Sequence, residues 1–346
     1  MSRRVLVVRL DGAGDVLLAG PAVRAVAAAA EVSLLCGPAG AEAAGLLPGV
    51  RRVLVWPAPW VISPAPPVRP DDVAAVTERL RELGCTAAVV LSSVHQSPLP
   101  TALLLRLAGI GRISGASVDY PGALLDVRLR PGDGPGDDLP EDLPEPERAL
   151  RIAAAAGFDR PPGDDGRLAV RFTAVPPTDP RPTVVLHPGA AVPARRWPVE
   201  HYRRAAELLH AAGYRVVVTG GPDERPLTAA VAGRDGIDLG GRTTLAELAG
   251  VLAGAAAVVV GNTGAAHLAA AVGTPVVSLF APVVPATRWR PYRVPHVLLG
   301  DQHAGCRDTR ARDCPVPGHP CQSGVDPHRV LEAVRALHST DAAVPA

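Results

Sequence analysis

A chain of 346 residues is long enough for two hydrophobic cores, because single cores stop growing at about 250–300 residues. Lys plus Arg (35) and Asp plus Glu (34) nearly cancel, so no global field draws the chain to nucleic acid or anionic lipid, and any anion site must be local. Hydrophobic residues make up 47% but aromatics only 3%, which favours helices and sheets packed with small aliphatics.

The first stretch, MSRRVLVVRLDGAGDVLLAG, puts basic residues before an apolar run. Asp11 and Asp15 interrupt that run and no small-residue cleavage site follows, so neither a signal peptide nor a membrane span is expected. Strand-like runs then alternate with helix-like Ala/Leu/Arg stretches, the pattern of parallel sheets with crossover helices. In the first half, strands are expected at 4–10, 32–37, 52–56, 87–93 and 112–117. A proline-rich insertion at 57–70 interrupts them, with Trp56 and Trp60 giving its start apolar surface. The Pro-, Gly- and Asp-rich segment 131–147 reads as linker or surface loop. A helix-like RALRIAAAAG and a second proline-rich break at 176–182 put the domain boundary near 178, giving a first domain of 1–177 and a second of 178–346. In the second half, strands are expected at 183–189, 215–221, 257–262 and 275–282, with 296–299 as an edge-strand candidate and a last helix at about 326–338.

Cysteine usage points to a reduced, cytoplasmic protein, since five cysteines are an odd number and Cys36 and Cys85 sit in apolar strand surroundings. Cys306, Cys314 and Cys321 cluster with His303 and His319 in one polar loop. Their spacing matches no standard zinc pattern, so an ordinary thiol loop is preferred to a metal site.

Three segments carry chemistry. After the first strand, Gly12 and Gly14 permit a tight turn and close backbone approach before a helix whose N-terminus favours an anion, although G-x-G-x-x-G is incomplete because Leu17 stands at the third position. Asp15 is there either a helix cap or a carboxylate acting as general base. In VVVGNTGAAHLAAAVGTP, a buried strand ends at Asn262, and Thr263 and Gly264 open a helix whose first turn holds His267. Small residues leave backbone N–H groups and the Thr263 hydroxyl open to a diphosphate; alternatively Asn262 and Thr263 only cap the helix and His267 packs beneath it. In LHPGAAVPARRWP, Arg195 and Arg196 are either a solvated pair or a source of charge for a departing diphosphate. In TGGPDER, Asp223 or Glu224 accepts from ribose hydroxyls or caps a helix.

These residues resemble glycosyltransferase family 9, the heptosyltransferase family, from RVLVVRLDGAGDVLLAGPAVRAV to DPHRVLEAV, with GDVLL, RWP and GNTGAAHLAAAVGTP as the specific parts. The resemblance implies an α/β protein of GT-B type, two Rossmann-like doubly wound domains facing a cleft, with the donor in the second. It also implies a glycosyltransferase of the cytoplasm that transfers a sugar with inversion and without metal or cofactor. Heptose from an ADP-linked donor would go to a glycan or glycolipid of lipopolysaccharide-core type, with peripheral contact at the inner membrane face; the alternative is another nucleotide sugar serving a cell-surface glycan or natural product. The family's catalytic aspartate falls on Asp15. Its donor-binding residues fall on Thr263, Gly264, His267, Arg195 and Glu224, with Asp223 as the alternative to Glu224 and with Gly12, Gly14 and Asn262 beside them. Apart from the resemblance, His95 and Gln96 follow a strand end and are either acceptor-side residues or, for His95, a loop residue without function. Two positions depart from the pattern: Arg195 replaces a lysine, changing reach and hydrogen-bond geometry, and Asn262 stands where an aspartate is common. A nicotinamide-dependent oxidoreductase would share twin α/β domains, but the incomplete fingerprint argues against it. A non-catalytic nucleotide-sugar binder is disfavoured by the presence of Asp15.

Overall fold

A computed structural model describes residues 3–174 and 179–341. The chain divides into two compact units, residues 1–170 and 171–346. The boundary expected near 178 lies outside the described residues.

The first unit holds six strands: β1 (Arg4–Arg9), β2 (Glu31–Cys36), β3 (Val50–Val55), β4 (Ala87–Val90), β5 (Arg112–Ala116) and β6 (Val127–Leu129). The second holds β7 (Thr183–His187), β8 (Arg215–Val218), β9 (Ile237–Asp238), β10 (Ala257–Gly261), β11 (Val276–Leu279) and β12 (His296–Leu299). Each sheet is parallel throughout and runs in the same order, β3-β2-β1-β4-β5-β6 and β9-β8-β7-β10-β11-β12. This is the doubly wound, Rossmann-like arrangement, and in each sheet the order reverses beside the first strand. The carboxyl ends of β1 and β4, and of β7 and β10, flank the two switch points where such folds bind ligands.

The central strands are buried on both faces, which explains their unbroken apolar sequences. In β1 only Arg4 is exposed, and in β10 every residue is buried. The covering helices show one apolar stripe each; Tyr202, Ala205, Ala206 and Leu209 recur on the Val199–Ala211 helix at helical spacing and pack on β7 and β8. Thr244 and Glu247 form a capping box that starts the Leu245–Ala253 helix. Strands β6 and β9 were not expected: they are three and two residues long at sheet edges, too short to show a period. The 296–299 strand is the other edge of its sheet.

Two segments are more ordered than their composition suggests. Trp56 and Trp60 meet edge to face at 5.0 Å, and Trp60 Nε1 donates to Thr101 Oγ1 at 3.0 Å, so the start of the proline-rich insertion is anchored. The end of the 131–147 stretch forms the first turn of a helix, Glu145–Ala155, whose Glu145 is fully buried.

Candidate functional site

At the switch point of the first unit, β1 ends on a buried arginine. Arg9 is 3% exposed and surrounded by three carboxylates. Its Nη2 donates to Asp15 Oδ1 and Ser93 Oγ, both at 2.8 Å, its Nη1 to Leu91 O and Glu145 Oε2 at 3.2 Å, and its Nε lies 2.9 Å from Asp11 Oδ2. Gln96 Nε2 donates to the other oxygen of Asp11 at 2.6 Å. Burial alone would favour the neutral guanidine, but Asp11, Asp15 and Glu145 outweigh it and keep Arg9 charged. Burial pushes Asp11 above the usual carboxylate range; Arg9 and the Gln96 bond oppose the rise and the neighbouring carboxylates add to it.

Asp15 lies in the first turn of the helix Ala13–Leu18, whose N-cap residue is Gly12 and makes no side-chain capping bond. Its carboxylate turns toward Arg9 and stays about a quarter exposed. A Cβ at Gly12 would meet open space, so the loop is not closed by its neighbours, and Gly14 lies within the helix. Gln96 joins the cluster, whereas His95 beside it is exposed. The links of Arg9 to Ser93 and Glu145 escape motif reading because those partners lie 84 and 136 positions away.

The second unit gathers its residues at the carboxyl ends of β7, β8 and β10. Thr263 is the N-cap residue of the helix Gly264–Ala271, yet its side chain makes no capping bond. Its hydroxyl is buried with no hydrogen-bond partner among the described residues. His267 is buried in the first turn. Arg195 closes a short 3-10 turn, Pro193–Arg195, and its Nη1 donates to Asn262 O at 3.2 Å. That turn fits against the end of β10 because Gly261 has no side chain: a Cβ there would stand 2.9 Å from Arg195 O. Arg196 is exposed and donates to Ala190 O, so only Arg195 reaches the start of the helix.

The Asn262 carboxamide is occupied. Its Oδ1 accepts from Ala281 N at 3.2 Å and its Nδ2 donates to Ala281 O at 3.3 Å, so it ties the end of β10 to the segment leaving β11. An aspartate could make only the first of these bonds and would set a carboxylate against a carbonyl. Asn262→Asp is therefore expected to destabilise the second unit by about 1–3 kcal/mol, read from urea denaturation followed by tryptophan fluorescence.

Glu224 is partly buried and Asp223 exposed, which separates the two carboxylates of that turn. Glu224 Oε2 accepts from Gly221 N at 2.8 Å, and the carboxylate lies over Gly189, where a Cβ would collide with it. His187, the last residue of β7, pairs with Thr219 across 3.0 Å through Nδ1. Burial pushes its imidazole below the ordinary range, and the Glu224 charge offsets part of that fall. No motif announced His187; the signal present was a polar residue ending an apolar strand.

The cysteine-rich loop packs beneath the Arg195 turn. Cys306 and Cys321 form a small apolar cluster with Ala194, Ala281 and Val283, against which Cys314 packs, and His319 Nε2 meets Ala194 O at 3.0 Å. All five cysteines are free, His303 is exposed, and no group of three His, Cys, Asp or Glu residues among the described residues is arranged to hold a metal ion. No helix among the described residues is long and apolar enough to cross a membrane.

Comparison with known proteins bears on the family and the fold. The pattern of glycosyltransferase family 9 (heptosyltransferase) matches residues 143–319. Lipooligosaccharide heptosyltransferase 2 of Haemophilus influenzae is 35% identical over 115 residues, 30% of this chain and 33% of that protein. The matched stretches span only a third to a half of the first curated relatives. A glycosyl transferase family 9 structure from Veillonella parvula superposes with a TM-score of 0.77 at 16% identity, covering 98% of both chains. Escherichia coli heptosyltransferase WaaC, solved with ADP-2-deoxy-2-fluoro heptose, gives 0.71 at 22% identity, covering 96% of this chain and 99% of the other. These likenesses support the GT-B fold class, and with a family match over more than half its residues the chain belongs to glycosyltransferase family 9, the heptosyltransferase family.

Proposed function

We propose that this protein is an inverting glycosyltransferase that moves a sugar, heptose from ADP-heptose, onto a hydroxyl of a glycan or glycolipid acceptor of lipopolysaccharide-core type. The observation that carries the reading is the anion-receptive corner of the second unit: Arg195, the start of the Gly264–Ala271 helix and the buried Thr263 hydroxyl lie together at a switch point. Helix N–H groups and a guanidinium offset charge on a departing diphosphate, so the reaction is read as needing no metal or cofactor. Glu224, over Gly189, takes the ribose hydroxyls, and His267 braces the helix below the phosphates. The ADP-linked compound bound in the Escherichia coli relative favours adenine as the base.

Asp15 is the general base in this reading: it removes the acceptor proton as the sugar–phosphate bond breaks, so that one displacement inverts the anomeric carbon. Gly12 and Gly14 let the loop approach the sugar, and His95, Gln96 and the 57–70 insertion take the acceptor. The enzyme works in the cytoplasm, at the inner membrane face when its acceptor is a glycolipid.

Calorimetry against ADP, UDP and GDP, with a transfer assay using ADP-heptose, tests the reading; binding of none of the three nucleotides would overturn it. Within the site, Gly189→Ala must displace the Glu224 carboxylate, and Glu224→Gln removes its charge. Each is expected to weaken ADP binding by about tenfold or more, the worth of a hydrogen bond to a charged group. Unchanged affinity in both would remove Glu224 from the nucleotide site.

A further inference from the structure

The carboxylate of Glu145 has no part in the reading above, yet it is buried and bound to the arginine that holds Asp15. We propose that Glu145 is a positioning residue that sets the basicity of Asp15 by competing with it for Arg9. This rests on Asp15 being the base.

The competition is visible in the bonds. Arg9 Nη2 is shared between Asp15 Oδ1 at 2.8 Å and Glu145 Oε2 at 3.3 Å, while Nη1 reaches the same Glu145 oxygen at 3.2 Å. A guanidinium bound to one carboxylate alone holds it firmly in the charged form and makes it a poor proton acceptor. A second carboxylate on the same fork draws off part of that stabilisation, and its own charge raises the affinity of Asp15 for a proton. A general base is most effective when its proton affinity approaches what the working pH demands, so Glu145 moves Asp15 in the useful direction. Burial sharpens the effect, because Arg9 and Glu145 are almost wholly removed from water.

Asp11 binds the Nε side of Arg9 and is tied to Gln96. The elements packed on the Ala13–Leu18 helix carry Arg24, which pairs with Asp164, and the exposed Glu42. Glu147, Arg148 and Arg151 follow on the helix of Glu145, with Arg148 buried. Among these, Glu145 is the carboxylate that shares a guanidinium nitrogen with Asp15.

The test is the pH profile of kcat/KM. Glu145→Gln keeps the shape and a hydrogen-bond acceptor but removes the competing charge, so the acid limb should move to lower pH by about one unit and turnover on the plateau should fall several-fold. ADP affinity should not change. Glu145→Asp, which restores the charge, should return the limb toward its original position. If Glu145→Gln does not fold, Arg9→Lys supplies the opposite sign: an ammonium cannot fork across both carboxylates, so Asp15 is held less firmly and the limb should move to higher pH. An unmoved limb in a folded Glu145→Gln protein, with only its melting temperature lowered, would overturn the proposal and leave Glu145 as packing. Full turnover in Asp15→Asn would instead overturn the base reading itself, so the two failures are distinct.

Discussion

Replacing Asp15 with asparagine is expected to lower turnover by about 10²–10⁴-fold, the usual worth of general-base assistance. A sugar hydroxyl is too weak an acid to attack at neutral pH unless a nearby group takes its proton as the new bond forms. Asparagine keeps the size of the side chain and can still accept from Arg9 Nη2, but it cannot take that proton. Nucleotide affinity should be unchanged, since Asp15 belongs to the first unit and the proposed nucleotide residues to the second. Single-turnover transfer and ADP calorimetry on the same preparation separate the two effects. Loss of stability with transfer intact would make Asp15 a structural partner of Arg9 and no more.

The second large effect is on folding. Arg9→Met removes the cation on which three carboxylates converge while filling a similar volume. Asp11 and Glu145 are then left buried without their counter-charge, a change that costs about 3–5 kcal/mol when a buried pair loses one partner. The loss should fall on the first unit: hydrogen exchange should accelerate in peptides covering β1 and β4, while β7 and β10 keep their protection. Protonating the stranded carboxylates is one route of relief, so the variant should regain part of its lost stability as pH falls from neutral toward the raised range of Asp11. Equal exchange rates in β1 of the two proteins would show that the cluster contributes nothing net.

Much of the fold was legible because parallel strands are buried on both faces and read as continuous apolar runs. RVLVVR and AVVVG identify themselves in this way. Turn chemistry at the strand ends was legible too, since small residues at Gly12 and Gly264 stand where a chain passes from strand to helix. The partners of those residues were not. Glu145 sits in a segment whose prolines and acids read as solvated, and only the tertiary fold brings it to Arg9. Asn262 reads from sequence as either a ligand-side polar residue or a helix cap, and the bonds of its carboxamide to Ala281 depend on how β10 and β11 end side by side. Local sequence reports periodicity and turn type; pairing of buried polar groups is decided by register and topology.

The link between Arg9 and Glu145 also orders events during synthesis. The two residues are separated by 136 positions, and at ribosomal speeds of about 5–20 residues per second the arginine is made roughly 7–27 s before its partner. Until then β1 ends in a cation paired only with its near neighbours Asp11 and Asp15, so the carboxyl edge of the sheet cannot reach its final buried arrangement. Sealing of this edge becomes a late, vectorial step, timed by translation of the segment around Glu145. Slowing elongation just before that segment would prolong exposure of the half-formed edge to chaperones and proteases.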